Sequence, residues 1–251
     1  GLTVYTSLDL EMQEQAECVA RAQVAQLSGK TENLLPADEL ARCDALQYLN
    51  PHPSWAKQGD LNVSNASIIM LDPRTGEIKA MVGSLNYWDE NINGKFNVAV
   101  NGLRQPGSSF KPFTYLTALM QGYTPATMML DVETDYGTPY NGIAYVPQNY
   151  DREFNGPMRM RVALANSYNT TAVEAMSWVG VDTVIRTAHS LGITTLEDPS
   201  LYGLPLTLGG GEVKLLDMVY AFSVFANDGL MVGEVVPEQQ QRLGFRTLNP
   251  V

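Results

Sequence analysis

Pro106-Gly107 breaks the chain, and an apolar run at helical spacing begins directly after it: Phe110, Phe113, Leu116, Thr117 and Met120. Pro112 has no N–H to donate, so a helix that contains it starts no more than about one turn earlier. The spacing predicts a helix over roughly 108–121 with Ser108 at or beside its N-terminus. Free backbone N–H groups and the positive end of the helix dipole gather there and favour a developing alkoxide. Lys111 lies three residues on, on the same helical face, within reach of the Ser108 hydroxyl. An amine held beside Phe110 and Phe113 loses solvation, which lowers its pKa and lets it act as a base.

The rest of the chain reads as a mixed α/β arrangement. Residues 2–8 alternate weakly, as a short strand, and Ser7 or Asp9 then caps a polar helix to about Leu27. Residues 28–65 mix helical pieces with Pro, Asn and Gly, like an appended subdomain or a structured linker. A domain boundary is therefore expected between 65 and 66. From Ala66 the pattern sharpens into a β-hairpin: Ser67–Leu71, a turn at Asp72-Pro73-Arg74-Thr75-Gly76, then alternation through Ile78, Ala80 and Val82, with the first strand buried on both faces. Further helices are expected over about 159–166, 171–179, 182–190 and 212–226. The last is apolar almost all round, so it is expected to be buried, and Asn227-Asp228-Gly229 ends it. Residues 123–158, rich in Tyr, Gly, Pro and Asn, read as a long irregular region of the kind that walls a cleft.

Composition removes several function classes. With 16 Lys+Arg against 27 Asp+Glu the formal charge is −11, which repels phosphate backbones and argues against a nucleic-acid partner. No apolar stretch is long enough to span a bilayer, and the first residues lack a signal-peptide pattern. Two cysteines, Cys18 and Cys43, and two histidines, His52 and His189, are too scattered for a zinc site or an easily built Ser-His-Asp triad. No metal or cofactor is expected. The cysteines form a disulfide in an oxidising compartment or remain two buried thiols.

Ser-x-x-Lys occurs by chance in many chains, and Ser54-Trp55-Ala56-Lys57 is a second match here, read as a surface turn. A second constellation favours the first match. Ser167-Tyr168-Asn169 follows one predicted helix, and Thr171-Ala172-Val173-Glu174 reads as a capping box that opens the next. Ser167 and Asn169 then sit in a tight interhelical turn, where a hydroxyl can relay a proton to a leaving amine and an amide can hold a substrate carbonyl. The bland alternative is that both satisfy local backbone groups. The tyrosines at 136, 140, 145 and 150 either stack on sugars or pack the irregular loop.

Ser108-x-x-Lys111 with Ser167-x-Asn169 resembles the first two motifs of the penicillin-binding proteins and serine β-lactamases. The surroundings are more specific. Arg104–Pro112, Pro147-Gln148-Asn149-Tyr150-Asp151 with Phe154-Asn155-Gly156, Leu206–Val213 and Phe225–Gly229 are similar to the bifunctional (class A) penicillin-binding proteins. Leu2–Asp9 looks like the strand that leads into their transpeptidase domain. The resemblance implies a penicillin-binding, β-lactamase-like fold over 66–251, a sheet flanked by helices with a helical subdomain. It implies that Ser108 attacks the D-Ala-D-Ala carbonyl of a peptidoglycan stem peptide and that an amine on a neighbouring stem takes the acyl group. Lys111 would be the base, Ser167 the proton shuttle to the leaving amine, Asn169 the group that positions the substrate amide, and the Ser108 N–H half of the oxyanion hole. β-Lactam antibiotics would acylate the same serine. The parent would be a membrane-anchored cell-wall synthase with an upstream glycosyltransferase, working on the outer face of the bacterial membrane.

One departure stands out. The family's Lys-Thr-Gly or Lys-Ser-Gly triplet does not follow Ser167 within these residues; Arg74-Thr75-Gly76 precedes the nucleophile and sits in a turn. The expectation is a chain cut before its last strands, with weak turnover as a consequence. Hydrolytic relatives, a D,D-carboxypeptidase or a β-lactamase, share the constellation, as does a sensor that acylates once and signals.

Overall fold

The computed structural model describes residues 2–29, 35–49, 61–137, 144–235 and 248–249. The chain divides into two compact units, residues 1–103 with 214–251 and residues 104–213. That division follows packing, and the sequence boundary at 65/66 falls inside the first unit.

The first unit is built on helix α1 (Leu10–Leu27) and the hairpin of β1 (Ile68–Leu71) with β2 (Ile78–Val82). Asp9 caps α1 by accepting from the Met12 N–H at 3.0 Å. Ala16 and Ala20, one turn apart, let the helix approach Ala80 and Val82 closely. The Gln13 side chain meets Met81 of β2 at both its backbone groups, donating at 3.1 Å and accepting at 2.8 Å. Residues 2–8 are not a strand. They run irregular and largely exposed, tied to β2 by Ser7 Oγ donating to the Ile78 carbonyl (2.9 Å) and the Asp9 N–H to that of Lys79 (2.8 Å). The expectation that β1 is buried on both faces also fails, because Met70 is exposed and only Ile69 is buried.

Short helices α2 (Ala37–Leu40) and α3 (Val98–Asn101) follow in the same unit, and α8 (Leu215–Ala226) packs against β1 and α3. α8 is less enclosed than its apolarity implied: Met218, Tyr220, Ala221 and Val224 are buried, but Phe222 and Phe225 keep an exposed face. It ends at Asp228 (φ 52°) and Gly229 (φ 85°), with the Gly229 N–H returning to the Val224 carbonyl at 2.8 Å. Two-residue strands also occur among the described residues: β3 (Leu103–Arg104), β6 (Val213–Lys214) and the antiparallel pair β7 (Glu234–Val235) and β8 (Leu248–Asn249).

Cys18 and Cys43 form a disulfide, Cα atoms 6.0 Å apart, among Ala22, Leu35, Val19, Leu46 and Leu49. It pins α1 to the segment after α2 across 25 residues. Closing a loop of that length removes unfolded-state entropy, so replacing both cysteines by serine is expected to cost about 3 kcal/mol. A denaturant melt of the double variant against the oxidised chain measures it, and an unchanged midpoint would show that the bond constrains nothing.

The second unit is mainly helical. α4 (Lys111–Met120), α6 (Asn169–Val179) and α7 (Val181–Ser190) pack together. Phe110, Phe113, Val173, Met176, Val184 and Ile185 fill the space between them, each at most 1% exposed. Burying an aromatic or branched side chain of this size stabilises by about 1.5–3 kcal/mol. Three hydroxyl pairs satisfy polar groups inside this core: Thr114 with Thr207 (2.9 Å), Thr117 with Thr187 (2.9 Å) and Tyr115 with Thr171 (3.2 Å). The region expected to be irregular contains an antiparallel ladder between β4 (Met128–Asp131) and β5 (Gly156–Arg159), and β5 leads straight into α5 (Met160–Ala165).

Candidate active site

The loop after β3 turns at Gly107 (φ 59°), and Gly107–Phe110 form a single 3-10 turn that runs directly into α4 with Pro112 in its first turn. Ser109 closes the turn by donating to the Pro106 carbonyl at 2.6 Å. Phe110 and Phe113 are completely buried, so they anchor the start of the helix to the core. Ser108, ahead of these anchored positions, is left exposed.

Lys111, by contrast, is buried. Its residue is 1% exposed, and its amine is held by three oxygens: the Ser167 carbonyl (2.5 Å), Ser167 Oγ (3.1 Å) and Asn169 Oδ1 (2.7 Å). Loss of solvation pulls its pKa down to about 8, and burial is the cause. The cage suits the neutral amine as well as the ammonium. A neutral amine has two N–H groups, which match the two acceptor-only oxygens. Its lone pair then faces the one partner that can donate, the Ser167 hydroxyl.

Ser167 takes φ 55°, the left-handed conformation, which turns both its carbonyl and its hydroxyl toward the lysine. α6 then starts at Asn169, two residues earlier than the expected capping box. Glu174, the residue meant to close that box, instead accepts from the Leu130 N–H at 3.0 Å. Tyr168 stands at the N-cap and offers no side-chain cap. Asn149 supplies one from twenty residues away: its Oδ1 accepts from the N–H groups of Asn169 (2.8 Å) and Thr170 (3.4 Å).

Behind Asn149 lies Asp131, fully buried at the end of β4. It accepts from Asn149 Nδ2 (2.8 and 3.0 Å), the Asn155 N–H (2.8 Å), Asn155 Nδ2 (2.8 Å) and the Thr170 hydroxyl. Burial pushes this carboxyl up, but the donors from Thr170, Asn155 and Asn149 outweigh it and hold the group below the usual carboxylate range.

Three of the four residues singled out from sequence are thus joined directly: Lys111, Ser167 and Asn169. Ser108 stands in the 3-10 turn that leads into α4, three residues before Lys111, and among the described residues its hydroxyl makes no hydrogen bond to the amine. Asp131 and Asn149 were not found as site residues. The only sequence signal was the Pro147–Asp151 stretch, which carries Asn149 without saying what it touches. His189, near the end of α7, bonds to the Thr195 carbonyl at 2.7 Å in the segment that follows the helix, whereas His52, the Ser54/Lys57 pair and Tyr140 lie outside the described residues. Tyr136 and Tyr145 pack against each other with ring centroids 6.4 Å apart, while Tyr150 is fully exposed.

The mixed fold finds its counterpart in one family. Residues 66–242 match the penicillin binding protein transpeptidase domain, and the chain belongs to that family. Its relatives are class A proteins named penicillin-binding protein 1A. The chain is 39% identical to that of Aquifex aeolicus over 163 residues, 65% of this chain and 21% of that protein. It is 32% identical to that of Neisseria meningitidis serogroup A over 200 residues, 79% of this chain and 24% of that protein. The chain therefore spans about a fifth to a quarter of the length of the curated relatives it matches. Among solved structures, penicillin-binding protein 1A of Haemophilus influenzae superposes with a TM-score of 0.70 at 22% identity, covering 93% of this chain and 43% of that one. PonA1 of Mycobacterium tuberculosis in complex with penicillin V gives 0.64 at 22% identity, covering 97% and 57%. The fold is the α/β fold of penicillin-binding transpeptidases, as the motifs implied.

Proposed function

We propose that this chain carries the acylation site of a serine D,D-transpeptidase of the bacterial cell envelope. The reading rests on one observation: a buried lysine amine held by Ser167 and Asn169 one turn from an exposed serine, where burial draws its pKa down to about 8. Ser108 Oγ would bond to the carbonyl carbon of the penultimate D-Ala of a stem peptide while its proton passes to Lys111. The carbon–nitrogen bond to the last D-Ala then breaks, and the leaving amine takes a proton through Ser167. An amine of a neighbouring stem next bonds to the acyl carbon and gives up a proton to Lys111, the Ser108 ester bond breaks, and that proton returns to Ser108 Oγ. A β-lactam would enter the same first step, its ring amide standing for the D-Ala-D-Ala bond. Domain membership supports peptidoglycan as the substrate, and the disulfide fits an oxidising, extracytoplasmic setting. Among the described residues no helix is long and apolar enough to cross a membrane. A membrane anchor and an upstream glycosyltransferase are therefore proposed for the parent protein by likeness to its class alone.

The test is a covalent adduct. After incubation with benzylpenicillin, the intact mass is expected to rise by one acyl group, and peptide mapping is expected to place it on Ser108. No adduct, or an adduct on Ser167 or Ser109, would overturn the reading. Donor and acceptor stem peptides then separate the outcomes, since a cross-linked dimer marks the transpeptidase and a trimmed monomer the carboxypeptidase.

A further inference from the structure

The Lys111 cage is built by groups that do not belong to it. Asn169 presents Oδ1 to the amine because its other ends are spoken for: its N–H goes to Asn149 Oδ1 (2.8 Å) and its Nδ2 to the Gln148 carbonyl (2.9 Å). A carbonyl only accepts, so the Asn169 amide is fixed with its nitrogen toward Gln148 and its oxygen toward Lys111. The Asn149 amide is fixed by the same logic. The ionised Asp131 carboxylate only accepts, and so does the Glu153 carbonyl at 2.8 Å, so Nδ2 must face both and Oδ1 must face the start of α6. Asp131 is completely buried, so water cannot substitute for these donors without a cost.

From this juxtaposition we infer that Asn149, oriented by Asp131, is a positioning residue for the reaction: it sets the first turn of α6 so that Asn169 and Ser167 hold the Lys111 amine. The inference rests on the reading of Lys111 as the base. Neither residue touches the amine, so both act through Asn169.

A structural prop would lower stability alone, whereas a positioning role also moves the lysine. If the Asn169 amide is released, the ammonium loses an acceptor and its charged form is disfavoured. The midpoint of the pH–rate profile then moves down while the plateau rate falls. In the natural full-length polypeptide, with a fluorescent penicillin as probe, Asp131→Asn and Asn149→Asp are each expected to slow acylation by about 10²-fold. The double variant re-forms part of the link in the opposite sense: the amide introduced at position 131 donates to the carboxylate introduced at position 149, which in turn accepts from α6, while the Glu153 carbonyl loses its donor, so recovery is partial. It is expected to recover at least about tenfold over either single change. Asp131→Asn is isosteric and carries the test should Asn149→Asp not fold. Lys111→Met, measured alongside, separates the two claims. A Lys111 variant with the wild-type rate overturns the functional reading and this inference with it. A slow Lys111 variant beside an Asp131 variant of wild-type rate and midpoint overturns the positioning role alone, as does a double variant whose loss is merely the product of the single ones.

Discussion

Lys111→Met is expected to slow acylation of Ser108 by roughly 10²–10⁴-fold, the usual worth of a positioned general base. In the unsubstituted protein the rate should climb with pH through about 8, where the buried amine sheds its proton, and this limb should vanish in the variant. Methionine nearly conserves volume, so the core around Phe110 and Phe113 stays filled. The change leaves the Ser167 carbonyl and Asn169 Oδ1 without their donor, but it also removes a desolvated charge, so the two stability effects oppose each other.

Stability supplies an independent check on the same lysine. Its folded pKa lies below the unfolded value, so below pH 8 both states are protonated and the fold carries the whole cost of the buried ammonium. Between about pH 8 and 10.5 the unfolded chain binds the extra proton, and stability must rise with pH, by about 3 kcal/mol in all if the full shift is realised. Tyr115, Tyr145 and Tyr220 act in the opposite sense. Burial raises each to about 12, so above pH 10 the unfolded state ionises first and stability falls. The clean window is pH 8–10. Denaturant melts across it should show a rise that Lys111→Met abolishes, and a flat wild-type curve would mean that the amine is not desolvated as described.

What the sequence made legible is what local chemistry decides. Asp9 caps α1, Asp72–Gly76 turns the first hairpin, and Pro106-Gly107 with Pro112 marks the start of α4; in each case the signal and its effect lie within a few residues. The helix at 169 escaped this logic. Thr171 and Glu174 have the spacing of a capping box, but tertiary partners outbid the local ones: Glu174 goes to β4, and Asn149 reaches back to cap α6. The β4–β5 ladder was hidden for a related reason. Its strands are four residues each, a long stretch of chain separates Asp131 from Gly156, and one strand contains Pro157. Neither alternation nor a turn dipeptide announces such a pair, and only the long-range register makes it a ladder. So spacing could name Ser108, Lys111, Ser167 and Asn169 as candidates, while Asp131 and Asn149, which hold the start of α6, gave no local signal.

The second large effect belongs to a glycine with no side chain in the site. Gly209 follows the 3-10 turn Leu204–Leu208 and takes φ 84°. A Cβ placed there would lie 2.2 Å from the Gly107 nitrogen, 2.4 Å from its Cα and 2.6 Å from its oxygen. All three are backbone atoms at the start of the nucleophile turn, so no side chain can swing aside to make room. Gly209→Ala must displace the Gly107–Phe110 turn, and a shift on the order of 1 Å at a nucleophile costs about 10²-fold in rate. Gly180 carries backbone strain at least as large without the collision. It has nearly the same φ, 82°, but a Cβ there meets nothing within 4 Å. Gly209→Ala should lose about 1 kcal/mol to the left-handed conformation, whereas Gly180→Ala, with ψ 142° against 27° at Gly209, lies outside that region and should lose about 1–3 kcal/mol. Only Gly209→Ala should also lose penicillin labelling, with its pH midpoint still near 8, because Lys111 and its cage lie outside the displaced turn. Equal labelling rates in the two variants, measured below both melting temperatures, would mean that the contact between these two glycines does not govern where Ser108 sits.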